Sequence, residues 1–415
     1  MATKIIETEL DKIAALNPAE LDLARHDWLQ ILVKQVGRPL GYCWLKLTAV
    51  PPEPNVITLQ IAYHVSMPIM LDMLRKDLLS HNSLPQPYLP NVTVAICTRG
   101  RPESLERALK SLLLLDYPAD KLEVLVVDNA PPDDATEKVV ARFPQFSYVV
   151  EPRPGLDWAR NRAIKEAQGE IIAYTDDDVA VDSLWLKAVV RPFEEPNVMC
   201  VNGLVAPAER DTLAQELFEQ YNGFGKGFEK RCYTPEKRRK GAAFALRAGM
   251  FGTGANMAFR KSLFEVTGGF DESLGVGTPT HGGSDLEMYY RTIRNGYTMI
   301  YEPEALVWHY HRSDYKALER QLNSWGRGSY AFWTKVFLTD PEMRWDVFRL
   351  GIVWYWQRYV KRIFKSEETH RKLRLVEAIG ALQGPISYLI ARREANRIGA
   401  ANWRETTVRR GIQKL

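Results

Sequence analysis

The chain has 415 residues, 46% of them hydrophobic, and a formal net charge of +4. That is enough for two or three domains with a sizeable core, and the average charge points to no nucleic-acid partner. The charge is uneven: Lys361 to Leu415 carries 13 Lys and Arg against 5 Glu, a local net of +8 over a remainder of −4. The four cysteines lie far apart without a CxxC spacing, which argues against a structural zinc site and a disulfide framework. MATKIIETELDKIAAL carries acids within its apolar run and is not a secretory signal. No uncharged apolar stretch approaches the roughly 18 residues of a spanning helix. The expected location is cytoplasmic, with the inner face of a membrane as an optional contact.

Residues 1–88 read as an accessory region. An amphipathic helix is predicted near Glu20 to Val36, RPLGYCWLKL resembles a strand, and prolines cluster in PPEP and LPQPYLP, where a domain boundary is expected. From Asn91 the pattern becomes regular. VTVAIC reads as a buried strand, and RPESLERALKSLLLL as an amphipathic helix with Pro102 in its first turn. LEVLVV is a strand ending at Asp128, DDATEKVVARF a helix, FSYVV a strand, and LDWARNRAIKEAQG a helix stopping at Gly169. IIAYT is a fourth strand ending at Asp176. Such alternation predicts an α/β fold with parallel pairing and right-handed crossovers, in which ligands bind beyond the carboxyl ends of the strands. Thr98, Asp128 and the run Asp176, Asp177, Asp178 all fall at that edge, so a nucleotide or sugar-phosphate site is expected there.

The aspartate run is the sharpest feature. Adjacent carboxylates repel by roughly 1 kcal/mol per pair even in water, so the run is either an exposed turn before a helix starting near Asp182 or a seat for a cation. Residues 222–254, rich in Gly and bases, suggest a mobile loop over a site. The last hundred residues, expected to be helical, alternate aromatics with bases in RWDVFRLGIVWYWQRYVKRIFK, a pattern suited equally to a bilayer interface and to packing on the rest of the chain.

The ordered set CTRGRPESL, VVDNAP, PGLDWARN, YTDDD, GTGANMAFR, GGFDE, GGSDLEMYYR and ALVWHYHR resembles family 2 glycosyltransferases of the GT-A fold, over residues Val92 to about Arg312. The resemblance implies a Rossmann-like, mostly parallel sheet flanked by helices in a catalytic domain spanning 89–312, after the N-terminal region of 1–88 and before a helical region of 313–415. It implies inverting transfer from a nucleoside-diphosphate sugar, a UDP-sugar being the expected donor, to a saccharide or lipid-linked acceptor.

The same resemblance assigns residues. Asp128 matches the acceptor of a hydrogen bond from the base, and it suits uridine and thymine alike. Thr98, Arg99, Arg101 and Arg160 are expected at the nucleotide, Asp176 and Asp177 at the donor, and Gly254 and Asn256 along the donor sugar and acceptor. Asp178 is expected to hold Mn²⁺ or Mg²⁺, hard ions suited to oxygen ligands, which neutralise the departing diphosphate; a register slip would bring in Asp177. His309 is the expected further ligand and His311 the lesser one. Asp285 stands where the general base is expected, although Ser284 replaces the acid that usually precedes it. Capping of the following helix is the other reading of Asp285, and Glu287 is the alternative base. Trp158 and Trp185 either stack on a sugar ring or lie in the core. The Ser284 departure keeps open a silent saccharide-binding member of the same fold.

Overall fold

The computed structural model describes residues 2–48, 52–79, 88–221, 223–234, 243–363 and 367–412. Three strands open the chain: β1 (Thr3–Glu9), β2 (Trp28–Gln35) and β3 (Arg38–Lys46). β1 pairs parallel with β2, and β2 antiparallel with β3. Val36 and Gly37 join the last two with φ of 53° and 76°, a two-residue turn whose positive dihedrals match the strand twist. Helix α1 (Pro54–Leu79) lays Ile57, Ile61 and Val65 on this sheet.

The helix predicted near Glu20 to Val36 is absent, because Trp28–Gln35 is strand β2. Its six central residues are all buried: Leu29, Ile31 and Val33 face the local core, while Leu32 packs on Leu204, Ala206 and Leu306. A segment covered on both faces loses the alternation that would mark it as a strand.

The regular part follows the predicted alternation: β4 (Val92–Thr98), α2 (Pro102–Leu112), β5 (Leu122–Asn129), α3 (Ala135–Val140), β6 (Ser147–Glu151), α4 (Leu156–Glu166) and β7 (Ile171–Asp176). These strands pair in parallel in the order β7-β4-β5-β6. Val94, Ile96 and Ala173 face one core, and Ala95, Ile172 and Tyr174 the other. A sheet covered on both faces needs near-continuous apolar strands, as VTVAIC is.

Next come β8 (Val179–Val181), α5 (Trp185–Val190), β9 (Val198–Pro207), α6 (Leu213–Tyr221), β10 (Arg231–Tyr233), α7 (Ala243–Leu246), β11 (Asn256–Arg260), α8 (Leu263–Thr267), α9 (Ser284–Arg294) and β12 (Thr298–His309). They extend the sheet as β10-β12-β9-β11-β7, with β8 against β12. β11 runs antiparallel to both β7 and β9, so this half is mixed where the first half is parallel. Residues 222 and 235–242 of the segment expected to be a mobile loop lie outside the described residues. Its described parts include β10 and α7.

The C-terminal region consists of α10 (Tyr315–Thr339), α11 (Arg344–Tyr355), a π-helical turn over Trp356–Val360, α12 (Lys361–Ile363) and α13 (Glu368–Ile412). Asp314 caps α10 by accepting from the Ala317 amide at 2.8 Å. Helices α10 and α13 touch backbone to backbone, since a Cβ at Gly326 or Gly380 would collide with the carbonyls of Glu377 or Asn323. Phe332, Trp333 and Val336 of α10 join the core beneath α9, and Trp333 donates its indole N–H to the Leu246 carbonyl at 2.9 Å. Among the described residues no helix is long and apolar enough to cross a membrane.

Candidate active site

The carboxyl ends of β4, β5 and β7 open into one cavity of about 1200 Å³, closed on the far side by α10, the π-turn and α13. Thr98, Arg99, Arg101, Arg160, the three aspartates, Gly254, Asp285 and His309 all line it.

The aspartate run is not an exposed turn. Asp177 and Asp178 are 4% and 6% exposed, and two guanidiniums, Arg101 and Arg312, offset their mutual repulsion. Thr98 donates to Asp177 Oδ2 at 2.7 Å, and Arg101 Nη1 to Asp177 Oδ1 at 3.0 Å. The same nitrogen reaches Asp178 Oδ2 at 3.4 Å, and Arg312 reaches that oxygen at 3.3 Å. Burial raises the Asp177 carboxyl and Arg101 pulls it back. Burial, then Asp178, pushes Asp176 up to about 7, while Arg160 opposes the rise.

Strand pairing brings His309 to this cluster, because β12 sets His309 opposite Val179, the residue after Asp178. His309 Nε2 lies 3.3 Å from Asp178 Oδ1. Burial, then His311, Arg312 and Arg101, holds this imidazole well below its ordinary range, so the contact joins a neutral ring to a carboxylate. His309 Nδ1 meets His311 Nδ1 at 3.0 Å, and His311 Nε2 meets Glu219 at 2.9 Å. The carboxylate oxygen and neutral nitrogen suit a divalent ion. Among the described residues no group of three or more His, Cys, Asp or Glu is placed to hold a metal ion.

Asp285 stands in the first turn of α9, after Gly283 in the left-handed region at φ 103°. It does not occupy the cap position. Its Oδ2 accepts from the Gly254 amide at 3.1 Å, its Oδ1 from the Leu286 amide at 2.9 Å, and it is half-buried at the cavity wall. Gly254 fits between two functional groups: a Cβ there would lie 2.9 Å from Arg160 Nη2 and 3.5 Å from Asp285 Oδ2. Glu287 is turned away, locked by Arg291 at 2.8 Å and Lys335 at 2.8 Å.

Arg160 is buried, with Nη1 on Ser284 Oγ at 3.0 Å and Asp157 Oδ1 at 3.3 Å. Asp157, one turn earlier on α4, supplies a carboxylate beside the serine that stands where an acid was expected. Burial lifts Asp157 to about 7 while Arg160 pulls it down. Asp157 and Arg312 were not singled out in the sequence. The signals available were the i, i+3 spacing to Arg160 and the position of Arg312 directly after His311.

Other expected residues fall elsewhere. Asn256 is fully buried and does not line the cavity: it accepts from the Trp185 indole at 2.9 Å and donates to the carbonyls of Leu204 at 3.0 Å and Ala305 at 2.8 Å. Asn256 thus welds β11 to α5, β9 and β12, and has no amide group left for a ligand. Trp185 lies wholly in the core, and Trp158 packs under the Arg153 guanidinium at 4.0 Å; neither lines the cavity. Asp128 is fully buried and does not line the cavity, whereas its neighbour Asn129 does. Its Oδ2 accepts from Tyr148 at 2.9 Å, and its buried Oδ1 has no partner among the described residues. Burial raises the Asp128 carboxyl, and Tyr148 and Thr136 pull it back.

The sequence profile described as Glycosyl transferase family 2 matches residues 93–268. A glucosyl-dolichyl phosphate glucuronosyltransferase of Haloferax volcanii is 23% identical over 286 residues, covering 66% of this chain and 76% of the relative. The succinoglycan biosynthesis protein ExoM of Rhizobium meliloti is 30% identical over 234 residues, covering 53% of this chain and 68% of ExoM. A solved structure of the mannosyltransferase PcManGT from Pyrobaculum calidifontis, in complex with GDP-Man and Mn²⁺, is similar at a TM-score of 0.46 and 20% identity, over 80% of this chain and 83% of that one. That likeness is too distant to bear on the assignment, which rests on the sequence matches. The chain belongs to glycosyltransferase family 2, and it is a glycosyltransferase that takes its sugar from a nucleotide donor.

Proposed function

We propose that the chain transfers a sugar with inversion, with Asp285 as general base. The observation that carries this reading is the meeting of Asp178, His309 and Asp285 on one cavity, from three separate stretches of sequence. The acceptor hydroxyl sits against Asp285 and attacks the anomeric carbon from the face opposite the diphosphate. As the new C–O bond forms, the bond to the diphosphate oxygen breaks with its electron pair, and the hydroxyl proton passes to Asp285. The bonds from Gly254 and Leu286 fix the orientation of that carboxylate before the acceptor arrives.

Asp178 and His309 are the groups to hold Mn²⁺ or Mg²⁺, which when bound would neutralise charge on the leaving diphosphate. Asp177 is occupied by Thr98 and Arg101, which favours Asp178 as the ligand. The orphan Oδ1 of Asp128 suits the ring N–H of uracil and thymine alike, which is compatible with the UDP-sugar that the family resemblance implies as donor. Arg99 and Arg160 flank the path of the phosphates. Asp176, half-buried beside Arg160, faces the donor.

The acceptor is a saccharide or a lipid-linked saccharide. Trp345, Phe348 and Ile352 of α11 and Trp356 of the π-turn form an exposed apolar stripe, and Ile379, Leu382 and Ile386 form another on α13. These stripes, with bases such as Arg349, support peripheral contact with a membrane surface, and a cytoplasmic location at its inner face. A thermal-shift panel of nucleoside diphosphates with and without Mn²⁺ tests the donor site. A metal-dependent shift with one nucleotide supports it, and no shift with any nucleotide sinks it. Assigning the anomeric configuration of the product by NMR tests inversion.

A further inference from the structure

The cavity holds more positive charge than its donor can use. Nine Lys and Arg line it, against five carboxylates. Four of the cations are answered: Arg101 and Arg312 lie on the aspartate run, Arg160 on Asp157, and Arg358 on Glu377 at 2.9 Å. A donor diphosphate with its divalent ion adds almost no net charge, so it leaves the surplus in place. Of the five others, Arg99 stands at the end of β4, and Lys226, Arg231, Arg247 and Arg320 lie away from the strand ends.

Lys226 is the centre of the group. It is partly buried, and among the described residues no carboxylate lies within ion-pair distance of it. Burial, then Arg358, pushes its ammonium below the ordinary lysine range, with Arg231 adding to the effect and Asp285 and Glu219 opposing it. Gly227 stands against Arg231, since a Cβ there would lie 3.5 Å from Nη2. Lys226 thus shares the cavity wall with Arg231, Arg247 and Arg358, of which Arg358 already has its carboxylate in Glu377. A bare ammonium held among cations is unfavourable without a counter-ion, and a phosphate supplies both the charge and several acceptor oxygens.

We propose that Lys226, with Arg231 and Arg247, forms an anion subsite on the acceptor side, and that the acceptor carries a phosphate group. This rests on Asp285 being the base, because Asp285 fixes which end of the cavity the acceptor occupies. The phosphate belongs either to a lipid phosphate or to a soluble sugar phosphate.

The test is calorimetric titration of the full chain with geranyl phosphate, glucose 1-phosphate and geraniol, with and without UDP and Mn²⁺. One or both phosphates should bind and geraniol should not. Binding should persist with UDP and Mn²⁺ present. Lys226→Met, which keeps the stem and removes the charge, should weaken it by about tenfold or more. Tighter binding of geranyl phosphate identifies a lipid acceptor, and tighter binding of glucose 1-phosphate a soluble one. Competition by UDP and Mn²⁺, or an equal loss of UDP binding in Lys226→Met, assigns these cations to the donor and overturns the subsite while leaving the transferase intact. Absence of phosphate binding, or binding that Lys226→Met leaves unchanged, also overturns it. Failure of the donor reading itself shows separately, as absence of metal-dependent nucleotide binding.

Discussion

The two walls of the cavity are held by different means. On the strand-end wall, parallel strands deliver Thr98, Asp128 and Asp176 to one edge, and Arg101 and Arg312 answer the aspartates across a few ångströms. On the helical wall, Arg358 of the π-turn meets Glu377 of α13, and Tyr221 of α6, 156 positions from Glu377 in sequence, closes on the same carboxylate. The first wall follows from strand direction alone, whereas the second exists only if α6, α10, the π-turn and α13 pack in register. Chemistry should therefore fail by mutation of the first wall, and folding by mutation of the second.

The largest expected effect is on the chemistry. Asp285→Asn keeps shape and loses basicity, so kcat should fall about 10²–10⁴-fold with nucleotide binding retained. Steady-state transfer rates beside a nucleotide thermal shift decide it. A near-normal kcat would move the base elsewhere, and Glu287 is a poor successor, because Arg291 and Lys335 already hold it.

The helical wall should show the opposite pattern. Glu377→Ala leaves Arg358 without its carboxylate and Tyr221 and Tyr359 without an acceptor. Breaking such a buried pair costs about 3 kcal/mol. Urea unfolding should record that loss of stability, while Asp178 and His309 keep their contact. If stability is unchanged, the helical wall is not held by this network.

These contrasts explain what was legible in the sequence. The alternation from Val92 to Asp176 dictated the parallel half of the sheet, because strands buried on both faces read as apolar runs and helices as amphipathic ones. The antiparallel insertion of β11 was not legible, since pairing direction leaves no trace in a five-residue strand. Asp178, His309 and Asp285 were named from motif order, and the fold brings all three to one cavity. Asn256 was misplaced because its segment does pass the site, while its side chain turns inward to the Trp185 indole and two carbonyls. Lys226 was legible only as one base of the segment 222–254 expected over a site, and Arg358 was not singled out, because only tertiary packing brings it to the cavity. Trp28–Gln35 was misread as helix because burial on both faces erased its period.

A smaller effect separates the aspartates. Asp178→Ala should abolish metal-dependent nucleotide stabilisation, about 2.7 kcal/mol at a ligand concentration 100 times the dissociation constant. Chelation of the wild type by EDTA should reproduce the loss, and Asp177→Ala should only weaken the effect. If Asp177→Ala removes it and Asp178→Ala does not, the register is slipped and the contact with His309 is incidental.

The smallest effect lies outside both walls, where the N-terminal sheet meets the catalytic one. Lys34 of β2 donates to Asp182 at 2.7 Å and meets Glu7 at 2.9 Å, tying the N-terminal sheet to the catalytic one just beyond the aspartate run. Burial lowers this ammonium, and the bonds from Asp182 and Glu7 more than offset it, so its affinity for the proton rises above the ordinary lysine range. A cation raised in the folded state contributes its stability below the unfolded value and loses it as pH climbs through the folded one. Lys34→Met should therefore cost about 1.5 kcal/mol at neutral pH, and the gap from wild type should close only as pH passes about 10.4. Thermal unfolding across that range measures it, with kcat at neutral pH as the companion reading. An unchanged kcat marks the N-terminal sheet as a brace. A fall in kcat would mean that the brace also holds the strand end that carries Asp178, and the contrast between the two walls would then extend to a third support.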